Sequence, residues 1–267
     1  MLNEEAVTLP ATVRRERMLE MITDRQFVRV AELSDAFGIS DVTVRADLDA
    51  LDHSQVVRRV RGGAMARSRG IRPERSFEES LTAQAAEKKL IGESAAALVT
   101  SGMSVIIDVG TTTAAIGQAL GARTDLEQVT VITNGLKVAL DLETSHSDIT
   151  VIVTGGTLRR LQHSLVDPMA TLLLERLHAD LAFIGCNGVD VIHGVTNLNL
   201  PETEIKRRMI AAAERTIVVA DGSKIGQAHL IRVADLSEIA SVLTGPSASA
   251  GSVAELRRAG IDVIQVE

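Results

Sequence analysis

Residues 108–113 read Asp-Val-Gly-Thr-Thr-Thr, between the apolar run 103–107 and the helix-compatible stretch 114–122. A strand that ends in a small, hydroxyl-rich turn and passes into a helix offers backbone N–H groups and hydroxyls to an anion. Comparable ends recur along the chain. The strand-like runs 129–133, 149–153, 181–185 and 216–220 are followed by Asn134-Gly135, Thr154-Gly155-Gly156, Cys186-Asn187-Gly188 and Asp221-Gly222-Ser223-Lys224. In a parallel sheet, ligands bind beyond the carboxyl ends of the strands, where these residues fall. Lys224 and Arg159 supply positive charge for a phosphate, and Asp108, Asn134 and Asn187 can bond sugar hydroxyls. The expected cradle is completed by Gly110, Thr111, Thr112, Thr113, Gly155 and Gly156. The chain has no Trp or Tyr and four Phe, hence no aromatic platform for a sugar face. A polar, phosphorylated small molecule suits that inventory.

A second chemistry lies upstream. Residues 56–75 hold seven arginines against one acid, Glu74, in a chain whose net charge is −7. An acidic body with one arginine-dense segment points to a local polyanion contact. With almost no aromatic residues to stack on single-stranded bases, that polyanion is expected to be a duplex.

The elements around these residues follow from periodicity. Met18, Met21 and Ile22 share one face of a helix over 13–22, and Ala31, Leu33, Ala36 and Phe37 line a second, closed by Gly38. Ser40 is a suitable N-cap for a third, 41–52, with Val44, Leu48 and Leu51 as its apolar stripe and Thr43, Arg45, Asp47 and Asp49 facing outward. Helix, short Gly-containing turn, helix is a helix-turn-helix, placed at about 31–52, whose second helix presents its first residues to the major groove. The stretch 56–64 then suits a basic hairpin, or wing, whose Arg58, Arg59 and Arg61 neutralise phosphates. Beyond it, strands at 103–107, 129–133, 149–153, 181–185, 216–220, 239–243 and 262–266 alternate with helices at 112–121, 136–144, 168–178, 201–215 and 252–259. That is the pattern of an α/β domain around a mainly parallel sheet. The expected division is a winged domain over 1–64, a linker over 65–80 and a sensing domain over 81–267.

Composition bounds the rest. No apolar run approaches the ~18 residues of a membrane span, and the acidic N-terminus lacks the features of a secretory signal. One cysteine excludes an internal disulfide and fits a reducing cytoplasm. With six scattered histidines it also argues against a protein-built zinc site, and no metal or cofactor is expected.

Residues 14–64 resemble the N-terminal domain of DeoR-family transcriptional regulators, through V-x-V-x-E-L-S, I-S-x-x-T-V-R-x-D-L-x-x-L and R-G-G-A. Ala46 stands where many relatives carry a second arginine, and Arg61 where histidine is frequent. Residues 80–245 resemble that family's effector domain, through D-V-G-T-T-T, V-I-T-N-G, T-G-G-T-L-R-R, F-I-G, K-R-R-M and D-G-S-K. Asp167 replaces a usual glycine. The resemblance implies a winged helix-turn-helix joined to a sugar-phosphate-isomerase-like sensor, binding operator DNA as a dimer or tetramer. It further implies a repressor of a carbohydrate operon, closest to those of amino sugars, that is released by a phosphorylated sugar or related intermediate. Ser40, Thr43 and Arg45 would read base edges or adjoining phosphates.

An aldose–ketose isomerase is the alternative. It needs a carboxylate base and a partner for the enediolate. The isomerases this fold resembles carry an acid-rich D-G-A-D-E turn, and the corresponding Cys186-Asn-Gly-Val-Asp190 keeps one acid, Asp190. Glu202 and Glu204 are expected on a solvated helix face. A phosphate cradle without its proton-transfer pair points to a sensor.

Overall fold

The computed structural model describes residues 9–25, 27–54, 57–60, 62–66, 74–144 and 148–267. The chain divides into two compact units, Met1–Arg72 and Pro73–Glu267.

The first unit runs α1 (Ala11–Arg25), β1 (Phe27–Arg29), α2 (Val30–Phe37), α3 (Asp41–His53), β2 (Val57–Val60) and β3 (Gly63–Ala66). Gly38 takes φ 62°, the left-handed conformation that ends α2, and its N–H returns to the Ser34 carbonyl. Ser40 caps α3 by accepting the Thr43 N–H at 3.2 Å. Strands β2 and β3 form the hairpin, and β3 also pairs with β1. A side chain at Gly63 would stand 2.3 Å from the Val28 carbonyl oxygen, so this three-strand junction requires glycine. Met18, Ile22, Leu33, Val44, Leu48 and Val57 are fully buried between the helices and the hairpin. Asp47, expected outward, is buried as well, because Arg14 on α1 donates Nε to its Oδ2 at 2.7 Å and binds the two helices together.

The second unit begins with α4 (Phe77–Thr82) and α5 (Ala85–Ala96). Residues 76–80, assigned to the linker on sequence, are thus folded, with Ser76 capping α4. Next come β4 (Ser104–Ile107), α6 (Thr111–Gly121), β5 (Val129–Thr133), α7 (Leu136–Glu143) and β6 (Ile149–Val153). A small hairpin, β7 (Thr157–Arg159) and β8 (Ser164–Val166), leads to α8 (Met169–Leu174), β9 (Ala179–Gly185), β10 (Gly188–Asp190) and β11 (Gly194–Asn197). The chain closes with α9 (Leu200–Ala211), β12 (Ala213–Ala220), β13 (Ile231–Ala234), β14 (Ser241–Thr244), α10 (Ala250–Arg258) and β15 (Asp262–Gln265). Seven strands form one parallel sheet in the order β15-β14-β12-β9-β4-β5-β6. Val105, Ile107, Val131, Phe183 and Val219 project into the core on one face, Ile106, Ile132, Ala182 and Ile184 into that on the other. Strands β10, β11 and β13 make a separate antiparallel sheet.

Helix α9 is shorter than the expected 201–215, because Ala213 and Arg215 pair with Ala179 and Leu181 of β9. The helix expected at 168–178 ends at Leu174.

Candidate DNA-binding face and effector site

On the winged unit, Ser40 and Arg45 are exposed and Thr43 is half-buried at the start of α3. The Ser40 and Thr43 hydroxyls lie 2.9 Å apart, so both serve the helix cap. Arg45 reaches Asp41 only at 3.4 Å, an exposed i, i+4 pair that holds it weakly. Arg58 is exposed on β2. Its neighbour Arg59 turns inward, donating Nη1 to the Arg45 carbonyl at 3.0 Å and to Asp49 Oδ1 at 2.8 Å. Arg59 therefore braces the wing against α3, whereas Arg58 and Arg45 present free faces. Arg61 lies outside the described residues.

In the second unit, the chain leaves β4 for β5 on one side, and β9 flanks β4 on the other. The strand order thus reverses between β4 and β9, the topological switch point where parallel sheets bind ligands. Asp108 sits there, fully buried, its Oδ2 accepting the Gly185 N–H from the end of β9 at 3.0 Å. The same oxygen is paired with the buried Lys206 ammonium of α9. The other carboxylate oxygen, Oδ1, has no partner, and neither has Thr112 Oγ1 at the start of α6.

From Lys206 a chain of charges runs outward. Glu202 precedes it by one helical turn and accepts Ser164 Oγ at 2.6 Å and Arg159 Nη1 at 2.8 Å. Arg159 also grips Glu74 with both terminal nitrogens. Asn199, the N-cap of α9, donates to Glu74 Oε1 at 3.1 Å and to Glu202 Oε2 at 3.2 Å. Burial pushes the Asp108 carboxyl up, against the pull of Lys206. Lys206 is itself raised, because Asp108 and Glu202 outweigh its burial and keep it an ammonium. Burial works to raise Glu202, yet Lys206, Ser164 and Arg159 hold it below the usual carboxylate range. Its burial corrects the expectation of a solvated face, whereas Glu204 is half-buried beside Arg207.

A second polar cluster faces the ends of β9 and β12. Lys224 Nζ lies 3.6 Å from Asp221 Oδ2. Glu87 of α5 accepts the Gly222 N–H at 3.0 Å, and its neighbour Lys88 donates to the Ser80 and Ala83 carbonyls at 2.6 Å. Burial, reinforced by Lys224, lowers Lys88 to about 8. Cys186 lies between the clusters, feeling the charges of Lys224, Lys206, Asp221 and Asp108, and burial lifts its thiol to about 11.

Several of the other expected cradle residues have structural partners. Asn134 accepts the Val109 N–H at 2.9 Å and donates to the Leu165 carbonyl at 3.2 Å, fixing the β4–α6 turn against β8. Asn187 accepts the Leu198 N–H at 2.9 Å. Gly110 has φ 143° before α6, and Gly155 has φ 68°. A side chain at Gly156 would meet the Val166 carbonyl oxygen at 2.0 Å. Thr111, Thr112 and Thr113 are all buried, and Thr113 Oγ1 donates to the Gly110 carbonyl at 3.0 Å. Asp167 accepts a hydrogen bond from the Thr171 hydroxyl of α8. Sequence reading missed Lys206, Lys88 and Ser164. The signal for Lys206 was present: with Glu202, it falls at i, i+4 in the stripe that also carries Ile205 and Met209.

A helix-turn-helix with a wing, followed by a parallel α/β unit with a polar cluster at its switch point, is the arrangement of a DNA-binding regulator. Residues 14–69 match the DeoR-like helix-turn-helix domain and residues 83–245 the DeoR C terminal sensor domain. The chain is 33% identical to the HTH-type transcriptional regulator GlpR of Haloferax volcanii, over 96% of this chain and 98% of that one. It is 34% identical to the uncharacterized HTH-type transcriptional regulator YulB of Bacillus subtilis, over 95% and 96%. The glycerol-3-phosphate regulon repressor of Escherichia coli is 26% identical, over 87% and 90%. Among solved structures, ribose 5-phosphate isomerase A of Methanocaldococcus jannaschii aligns with 53% of this chain and 55% of its own, at TM-score 0.40 and 17% identity. The protein belongs to the DeoR family of DNA-binding transcriptional regulators. It is therefore a regulator and not an isomerase. Among the described residues, no helix is long and apolar enough to cross a membrane.

Proposed function

We propose that this regulator represses a carbohydrate-catabolic operon from the cytoplasm, as a dimer or tetramer, and that a phosphorylated sugar or related intermediate releases it. One observation carries the effector site: Asp108 Oδ1 and Thr112 Oγ1 are buried without partners at the switch point of the sheet. Buried polar atoms are normally satisfied, and unpaired ones at such a place mark where a ligand's polar groups belong. A phosphate suits the start of α6 or either cation expected for it, Lys224 or Arg159, and the Asp108–Lys206 pair suits a hydroxyl. The name of the Escherichia coli glycerol-3-phosphate regulon repressor supports a small phosphorylated effector.

On the winged unit, Ser40, Thr43 and Arg45 face the major groove, and Arg58 meets the backbone. A hundredfold loss of operator affinity requires the effector to favour the DNA-incompetent form by roughly 3 kcal/mol. The test is binding of the labelled upstream duplex, repeated with a panel of sugar phosphates. Salt-sensitive binding released by one compound supports the proposal. A duplex affinity indifferent to every sugar phosphate rejects the effector class.

A further inference from the structure

We infer that Glu74 is a built-in competitor for the effector's anionic group: its carboxylate grips the Arg159 guanidinium, and an incoming phosphate takes that guanidinium in its place. The inference deepens the proposed function above and rests on its phosphorylated effector, with Arg159 rather than the start of α6 as the seat of the anion.

The first ground is chemical. Arg159 was expected to meet a phosphate, and in the structure it meets a carboxylate through two parallel N–H donors. The guanidinium fork fits both anions by the same two-point geometry, so one can replace the other without rebuilding the site.

The second ground is the balance of charge. Asp108, Glu202 and Glu74 are three acids on two cations, Lys206 and Arg159. The side chains of Asp108 and Glu202 are 0% and 6% exposed, and that of Glu74 is 13% exposed. Glu74 is thus the outermost acid of the three. A further anion added beside it would be an unpaired charge in a low-dielectric place. An anion exchanged for it adds only the difference between a phosphate, at about −1.5 to −2, and the carboxylate that leaves.

The third ground is what Glu74 is attached to. It directly follows the residues that join the two units, and the segment it begins is fastened to the β7–β8 hairpin. Phe77 N–H donates to the Leu161 carbonyl at 2.9 Å, Gln162 Nε2 donates to the Arg75 carbonyl at 2.5 Å, and the Phe77 and His163 rings meet edge to face at 5.5 Å. Arg159 belongs to that same hairpin. Exchange of its carboxylate for a ligand phosphate therefore loosens the segment that leads to the winged unit, which gives the effector a route to the DNA.

The test uses full-length protein with inorganic phosphate and glycerol 3-phosphate as probes, by calorimetry, beside binding of the upstream duplex. Glu74→Gln is expected to raise phosphate affinity about tenfold and to weaken duplex binding without ligand. Glu74→Asp, which keeps the charge, is expected to restore both. Glu78→Gln removes an equal but exposed charge nearby and is expected to change phosphate affinity by less than about twofold. Phosphate affinity unchanged in Glu74→Gln, or raised equally in Glu78→Gln, overturns the inference. Lys224→Ala and Thr112→Val examine the site itself. If they weaken phosphate binding while Glu74→Gln is inert, the site stands and the competitor falls. If Glu74→Gln strengthens binding and they are inert, the competitor stands and the site at the start of α6 falls.

Discussion

Replacing Lys206 with methionine keeps the length and apolar stem of the side chain and removes the ammonium. Glu202 retains Arg159, Ser164 and Asn199 as partners. Asp108 retains only the Gly185 N–H, so the cost falls on its buried carboxylate. Breaking a buried pair from one side costs about 3–5 kcal/mol. Asp108 has an escape, which is to take up a proton. From its ordinary value of 3.8, holding it neutral at about pH 7 costs roughly 4 kcal/mol, at 1.36 kcal/mol per unit. Because the folded pKa would lie above the unfolded one, the penalty is absent below about pH 4 and grows with pH until the folded pKa is passed. Burial already raises Asp108 while Lys206 is present, so these figures are ceilings: the expected loss is at most about 4 kcal/mol near pH 7 and smaller near pH 5. Urea unfolding followed by far-ultraviolet circular dichroism measures it, since the chain has no Trp or Tyr to report by fluorescence. Adding Asp108→Asn should recover most of the loss. A loss below about 1 kcal/mol near pH 7, or one equal at both pH values, would refute the account of Asp108 as a carboxylate that depends on Lys206.

Arg45→Ala should weaken operator binding by about 1–3 kcal/mol and relax discrimination at one base pair; an unchanged footprint and affinity would remove Arg45 from the contact. Arg58→Ala should flatten the salt dependence of binding by about one unit. Arg59→Ala should instead lower the stability of the winged unit through loss of Asp49, and equal salt slopes for the two variants would contradict that division of labour. Carbon-13 NMR of labelled lysines should show one group, Lys88, titrating near pH 8, shifted by burial and by Lys224. Titration of every lysine above about pH 10 would place Lys88 in water.

Most parallel strands were legible because they carry runs of β-branched residues closed by small or polar ones, and β9, Ala179–Gly185, through its apolar Leu-Ala-Phe-Ile run. Observed β5 and β6 coincide with the expected 129–133 and 149–153. The short strands β7, β8, β10 and β11 were not legible, since three or four residues cannot establish an alternation. The strand-end glycines and Asp108 were found by type, yet their roles depend on strand order, which no local pattern encodes. Asn134 illustrates this: an amide after a strand reads equally as a ligand donor or as a clasp, and the turn against β8 makes it a clasp. Glu202 and Lys206 were passed over because charged residues on a helix are normally solvated. What buries them is Asp108 and Arg159, each more than forty residues away in sequence.

The protonated state of Cys186 sets what kind of message this protein can receive. With its thiol held at about 11, only about one molecule in ten thousand carries the thiolate at neutral pH. The one sulfur able to form a disulfide or be oxidised to a sulfenic acid is both buried and chemically quiet. Oxidants and electrophiles therefore pass unnoticed through this residue. The same silence serves the experimenter: a cysteine placed on an exposed face would be the only reactive thiol in the chain, ready to carry a probe without first removing the native one.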